Sequence, residues 1–316
     1  MSRRRSLFRY GLRSFLLFVA IASCGLGWVG ARHHAKLRER EAVAAFTFGT
    51  ANGRVLYDYQ YNPVSNKVDL SAKPPGPSWI RALLGDDYFA TVHVVSLRPV
   101  EEKYYVVSNL RHLKSLSGLR RLDIDRLGYP DDVLVHIEGL TNLERLNMSR
   151  CHFTDAALVH LKGLSQLKEL DLRATRIKGK GLSNLRGLNR LEKLDLSANS
   201  IDESDVIHLI SVLPQLRELS LEPTKMSDEG LRRLGSLRQL EELSVSGRSV
   251  TDAGMVHLSH LRKLTFLGIR GTSVTDAGLM QLKELSSLKT LCVDIRISPE
   301  GRKKFLEAMP HAVEIR

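Results

Sequence analysis

The pattern Leu-x-x-Leu-x-Leu, with Ile, Met or Val sometimes in its last place, starts at Leu119, Leu143, Leu167, Leu191, Leu216, Leu240, Leu264 and Leu288. The intervals are 24, 24, 24, 25, 24, 24 and 24 residues. A chain that keeps such a register must repeat one structural unit along an axis. The paired inner positions are Leu122/Ile124, Leu146/Met148, Leu170/Leu172, Leu194/Leu196, Leu219/Leu221, Leu243/Val245, Leu267/Ile269 and Leu291/Val293. In a short strand, alternation sends such a pair inward and the residue between them outward. Each strand is followed by a second apolar set at helical spacing, as in Leu158, Leu161 and Leu164, or Leu279, Leu282 and Leu285. One coil cannot bury both sets alone, whereas stacked coils hide them in a continuous core. The expectation is an α/β fold: a right-handed solenoid with a parallel sheet on its concave side and helices or helical turns on its convex side.

Residues 89 to 316 resemble the leucine-rich-repeat family of the ribonuclease-inhibitor-like type. In that family an Asn after the strand bonds to backbone inside the turn, and the resemblance gives this role to Asn199. Thr175, Thr224 and Thr272 replace part of its bonding, Cys151 occupies the same place, and Leu127, Arg248 and Arg296 depart from the pattern. The resemblance also implies recognition through the concave face. Val250-Thr251-Asp252-Ala253-Gly254 and Val274-Thr275-Asp276-Ala277-Gly278 are near copies whose Thr and Asp side chains suit helix N-caps. Val313 and Ile315 read as a last truncated strand after a closing helix from Pro299 to Met309.

The net charge of +12 is unevenly spread. Residues 1 to 40 carry nine Lys or Arg and one acid, Glu39, while the other 276 residues carry 38 basic and 34 acidic side chains. A nucleic-acid footprint belongs on a folded surface, so that partner class is set aside. The basic tail, residues 1 to 13, precedes an uncharged run from Ser14 to Ala31, long enough as a helix to span about 27 Å. A signal-anchor helix over 14–31 accounts for the whole run. A cleaved signal peptide at Ala20 or Ala22 is another reading, and Ile21-Ala22-Ser23-Cys24 suits lipid attachment at Cys24. The positive-inside tendency puts the first basic cluster in the cytoplasm and the repeats beyond the membrane, in the periplasm or outside the cell. Residues 9 to 30 also resemble the arginine-led, Gly-Trp-ending segments of planctomycete membrane-tethered proteins, which implies a bacterial envelope location.

Residues 32–88 are expected to form a linker and an N-terminal cap, and 89–316 the repeat domain with its C-terminal cap. A helix over Lys36 to Phe46 and a strand over Arg54 to Tyr59, with Val55, Tyr57 and Tyr59 on one side, are predicted there. Lys73-Pro74-Pro75-Gly76-Pro77 reads as a turn. Trp79, Phe89 and the apolar face of a short helix containing Ile80, Leu83 and Leu84 are candidates to cover the first coil, and Phe89, Val92 and Val94 to form the first strand.

Three columns of strand residues should face a partner. The central column is Asp123, Asn147, Asp171, Asp195, Ser220, Ser244, Gly268 and Cys292. Arg173, Glu222 and Arg270 fall in the column after it, Arg145 and Phe266 in the one before. Asp171 and Asp195, on adjacent strands, suit a Lys or Arg from a partner. Phe266, flanked by Gly268 and Gly271, suits an apolar anchor. These residues predict a membrane-tethered scaffold that binds a protein or peptide, with an envelope carbohydrate or a purely structural spacer as alternatives. No cofactor is implied. His136, His160, His208 and His257 recur 17 residues after a repeat start, and that periodicity spreads them along the convex side instead of converging them on a metal. An open sheet gives Asp171 and Asp195 no pocket for glycosidase chemistry, and no nucleophile-elbow, zinc-protease or phosphate-loop motif occurs, so no enzyme is expected.

Overall fold

The computed structural model describes residues 23, 27–47, 54–62, 65, 67–97, 107–126, 128 and 130–316. The basic tail, most of the 14–31 run, Cys24 and Leu127 lie outside the described residues. Among the described residues no helix is long and apolar enough to cross a membrane.

The chain opens with helix α1 (27–47), then β1 (Arg54–Tyr57), a small hairpin of β2 (Tyr61–Asn62) and β3 (Lys67–Val68), helix α2 (Ser78–Leu84) and β4 (Val92–Ser96). From there one three-residue strand appears per coil: β5 (Arg121–Asp123), β6 (Arg145–Asn147), β7 (Glu169–Asp171), β8 (Lys193–Asp195), β9 (Glu218–Ser220), β10 (Glu242–Ser244), β11 (Phe266–Gly268) and β12 (Thr290–Cys292). The two-residue β13 (Glu314–Ile315) closes an 11-stranded sheet in the order β1-β4-β5-β6-β7-β8-β9-β10-β11-β12-β13. Every pair from β4 onward is parallel, and equivalent residues pair: Leu146 with Leu170, Leu170 with Leu194, Leu194 with Leu219. The leucines of the repeat are therefore neighbouring rungs, and one core cluster runs from Ala42 and Phe46 to Val313.

The convex side changes character along the molecule. Its early coils carry tight 3-10 turns, Asp131–His136, Asp155–Leu161 and Lys180–Gly187, preceded by Val107–Ser115. The 25-residue coil carries a full helix, α3 (Glu203–Val212), started by a capping box between Asp202 and Asp205. Short helices α4 (Asp228–Leu234), α5 (Asp252–Leu258) and α6 (Asp276–Met280) follow, and α7 (Pro299–Ala308) closes the end with Phe305 fully buried. The Thr-Asp pairs cap these helices and also join coils. Thr251 N and Oγ1 donate to the Asp228 carboxylate at 2.8 and 2.7 Å, and Thr275 does the same to Asp252 at 2.7 and 2.6 Å.

The N-terminal cover differs from the expectation. Trp79 and Leu83 are 71% and 76% exposed, so α2 does not seal the first coil. Helix α1 does, with Ala42 and Phe46 at 0% exposure inside the repeat core. Arg40 grips both Asp87 oxygens at 2.8 and 2.6 Å, and buried Lys36 bonds Glu39 at 2.9 Å and the Ala90 carbonyl. Strand β1 runs antiparallel to β4 and ends the sheet on that side. Phe89 precedes the first repeat strand instead of joining it. Tyr59 leaves the strand in a 3-10 turn (Asp58–Gln60), and Leu56 packs with Tyr61 and Val94 in a separate small cluster.

Candidate functional site: the exposed sheet face

The central column forms an unbroken register: Asp123 beside Asn147, Asn147 beside Asp171, Asp171 beside Asp195, Asp195 beside Ser220, and on through Ser244 and Gly268 to Cys292. Three of its polar members also serve their own coil. Asn147, Asp171 and Asp195 each accept a hydrogen bond from the backbone N–H two residues on, at 2.9, 2.9 and 2.8 Å. This side-chain turn ends each strand and leaves one carboxylate oxygen of each Asp for other contacts. Asp123 is held by Arg121 Nε at 3.2 and 3.0 Å. In the preceding column, Arg145 pairs with Glu169 at 3.2 Å and Lys193 with Glu218. Asp123, Arg145, Asn147, Asp171 and Asp195 border one depression of ≈ 190 Å³.

Burial pushes the Asp171 carboxyl above the ordinary carboxylate range, and the Asp195 charge alongside adds to this, against the hydrogen bond from Arg173 N. Burial likewise raises Glu222, with Arg270 and Arg173 opposing and Asp195 reinforcing. For Lys193, burial favours the neutral form, but the hydrogen bond to Glu218 together with the negative charges of Glu218, Glu242 and Glu169 outweighs it and holds the ammonium charged.

A larger open cleft of ≈ 950 Å³ lies beyond the C-terminal ends of β7 to β11. It brings together Arg173, Asp195, Glu222 and Arg270 from four different coils, over a floor that includes Ser220 and Ser244. Its origin is local. In the earlier coils an outer rung of backbone bonds runs from Arg126 N to Ser149 O, Arg150 N to Arg173 O, Ala174 N to Ser197 O and Ala198 N to Glu222 O. The donors in this rung sit at φ 53° to 61°. The next equivalent position is Pro223, which has no N–H to give. Beyond it the loops join differently, through Thr224 N to Ser246 Oγ at 3.1 Å and an isolated bridge between Gly247 and Thr272. The sequence reading placed Ser246 on this face, in the column of Glu222 and Arg270, but missed Pro223, Thr224 and Arg248 as contributors. The proline three residues past the central column was the signal for them.

Phe266 is half-buried and borders neither depression. The space at Gly268 is not open beside it, because a Cβ there would lie 2.9 Å from Ser244 Oγ and 3.1 Å from Glu222 Oε1. Among the described residues no three His, Cys, Asp or Glu side chains converge as metal ligands. His160 Nδ1 instead meets Glu138 at 2.6 Å, coil to coil.

Residues 141–201 match the family model described as leucine rich repeat. The same coil geometry continues outside that stretch, from β4 to β13. No curated protein matches the chain. Among solved structures, the internalin C2 structure from Listeria monocytogenes is similar at 22% identity and a TM-score of 0.48, over 66% of this chain and 83% of that one. An internalin encoded by inlF from the same organism is similar at 18% identity and a TM-score of 0.46, over 65% and 69%.

Proposed function

We propose that the chain is a membrane-tethered leucine-rich-repeat scaffold, held beyond the bacterial inner membrane, that binds a protein or peptide on its concave sheet face and performs no catalysis. The observation that carries this reading is the cleft beyond β7 to β11. Arg173 and Arg270 stand on either side of Glu222 there, and among the described residues neither makes an ion pair of its own. Elsewhere on this face Arg145 is paired with Glu169 and Lys193 with Glu218, whereas these two guanidiniums have donors to spare for a partner's carboxylate. The serine-lined floor would accommodate polar backbone, and the same hydroxyls would suit an envelope carbohydrate.

A second reading, a structural spacer with an unused face, is favoured by one specific feature: Asn147, Asp171 and Asp195 already cap their own strand ends. A photo-crosslinking residue at Ser220 or Ser244, placed in the full chain in native membranes, separates the two. The binding reading expects a discrete adduct, absent when the crosslinker is moved to convex Val159 and weakened about tenfold by Arg173→Ala with Arg270→Ala. Equal labelling from both faces, or an adduct indifferent to the arginines, would contradict it.

A further inference from the structure

The cover supplied by α1 leaves an apolar surface unexplained. Trp79 and Leu83 project from α2 at 71% and 76% exposure, and Trp28 on α1 is 63% exposed. Trp79 and Leu83 stand one turn apart on α2 and outside the repeat core, so together they present an apolar face open to another surface.

The contacts between α1 and its neighbours fix where this surface sits. Arg32 lies one turn beyond Trp28, its guanidinium 5.6 Å from the ring centres of both Trp28 and Tyr88, and it donates to the Tyr88 carbonyl at 3.3 Å. Phe89 packs edge-on against Tyr88 at 5.3 Å, and an added Cβ on Gly76 would run into the Phe89 ring. The turn that leads into α2 is thus moored, through Phe89 and Tyr88, beside Arg32 of α1. The other end of α2 is held further along: Arg40 donates to the Leu84 carbonyl. Arg40 is eight residues past Arg32, about 12 Å along a helix. Helix α2 therefore lies beside α1 with its Trp79 end toward Arg32 and its Leu84 end toward Arg40.

The uncharged 14–31 run ends on α1 just before Arg32. The next turns of the helix carry Arg32, His33, His34 and Arg38, and exposed Lys73 lies in the turn before α2. An interface of aromatic rings ringed by basic groups matches the boundary between acyl chains and headgroups, where Trp concentrates.

We propose that Trp79 and Leu83 insert into the headgroup boundary of the membrane beside the α1 tether, so that the solenoid is held at two points and cannot swivel freely about its anchor. The inference rests on the membrane tether proposed above. A single tether would leave the sheet face free to rotate and tilt together with α1, whereas two contacts fix which way it looks.

The chain contains two tryptophans, so each can be made the sole emitter. Full-length Trp28→Phe, in which only Trp79 emits, and full-length Trp79→Phe, in which only Trp28 emits, are reconstituted in phosphatidylcholine vesicles with or without mid-chain brominated lipid. Both substitutions replace one exposed aromatic by another, so the fold is not at stake. The proposal expects bromine to remove roughly half of the Trp79 emission or more, as for a ring seated at the acyl boundary. Quenching of Trp28 alone would overturn the second contact and leave the tether standing. Quenching of neither would overturn the tether and this inference with it. Blue-shifted but unquenched Trp79 would put a protein surface, a second copy included, over the patch and would also overturn the proposal.

Discussion

Asn199 shows how much one side chain contributes to a coil. Its Nδ2 donates to the Leu172 and Leu196 carbonyls at 2.7 and 3.0 Å, and its Oδ1 accepts from Thr175 N at 3.1 Å. Asn199→Ala would strand these backbone groups inside the turn, at a cost of about 2–4 kcal/mol in urea unfolding. Thr272, in the same place three coils on, makes one such bond, to the Ile269 carbonyl at 2.7 Å, so Thr272→Ala should cost less than half as much. Equal losses at the two sites would contradict this ranking. Asp171 makes a pH-dependent prediction. Burial raises its carboxyl pKa in the folded state, so the folded chain holds that proton more tightly than the unfolded chain does. The resulting stabilisation is complete below the unfolded carboxylate pKa and is lost as pH rises through the folded value. Asn147 makes the same turn with an amide, so Asp171→Asn keeps the hydrogen bond and removes the buried charge. The variant should be more stable than the parent at neutral pH, with the gain vanishing as pH falls through the carboxylate range. A gain that persists unchanged into acid would contradict the account.

Between coils, the recurring Thr-Asp-Ala-Gly segment works as a latch. Sequence alone identified its cap, and Thr251 does accept from Ala253 N at 3.3 Å. The contact with the preceding coil needed coordinates, because Asp228 and Thr251 are 23 residues apart. The glycine has its reason here too: a Cβ on Gly254 would collide with the Asp228 carboxylate. Gly254→Ala should therefore destabilise by about 1–3 kcal/mol, and the loss should shrink when Asp228→Ala is already present. Strict additivity of the two changes in a denaturation cycle would rule out the latch. The coil period, the strand positions and the central column were all legible in the chain, since each depends on spacing within one coil. The cleft was not, because it arises from what Pro223 fails to give its neighbour.

Across the whole molecule, stability is shared between each coil and the next, and the ends decide whether the array holds together. The C-terminal helix was legible from its closing position. At the other end the exposed Trp79 drew attention, whereas Ala42 and Phe46, at helical spacing on α1, carry the cover. The misreading has a physical cause: a large aromatic reads as core material by its size, and composition does not say which side of its helix meets the repeats. Phe46→Ala should cost about 3–5 kcal/mol and expose β4 and β5 to hydrogen exchange before the central coils. Trp79→Ala should change the stability of the repeats by less than about 0.5 kcal/mol. The claim on which both the scaffold and its cleft depend is that equivalent strand residues stand side by side, one coil after another. Spin labels at Asp123 paired in turn with labels at Asp171, Ser220 and Cys292 measure it directly. The account predicts separations that grow by about 5 Å for every intervening strand, along one column. Separations that fail to increase in that order, or that jump between neighbouring coils, would contradict it.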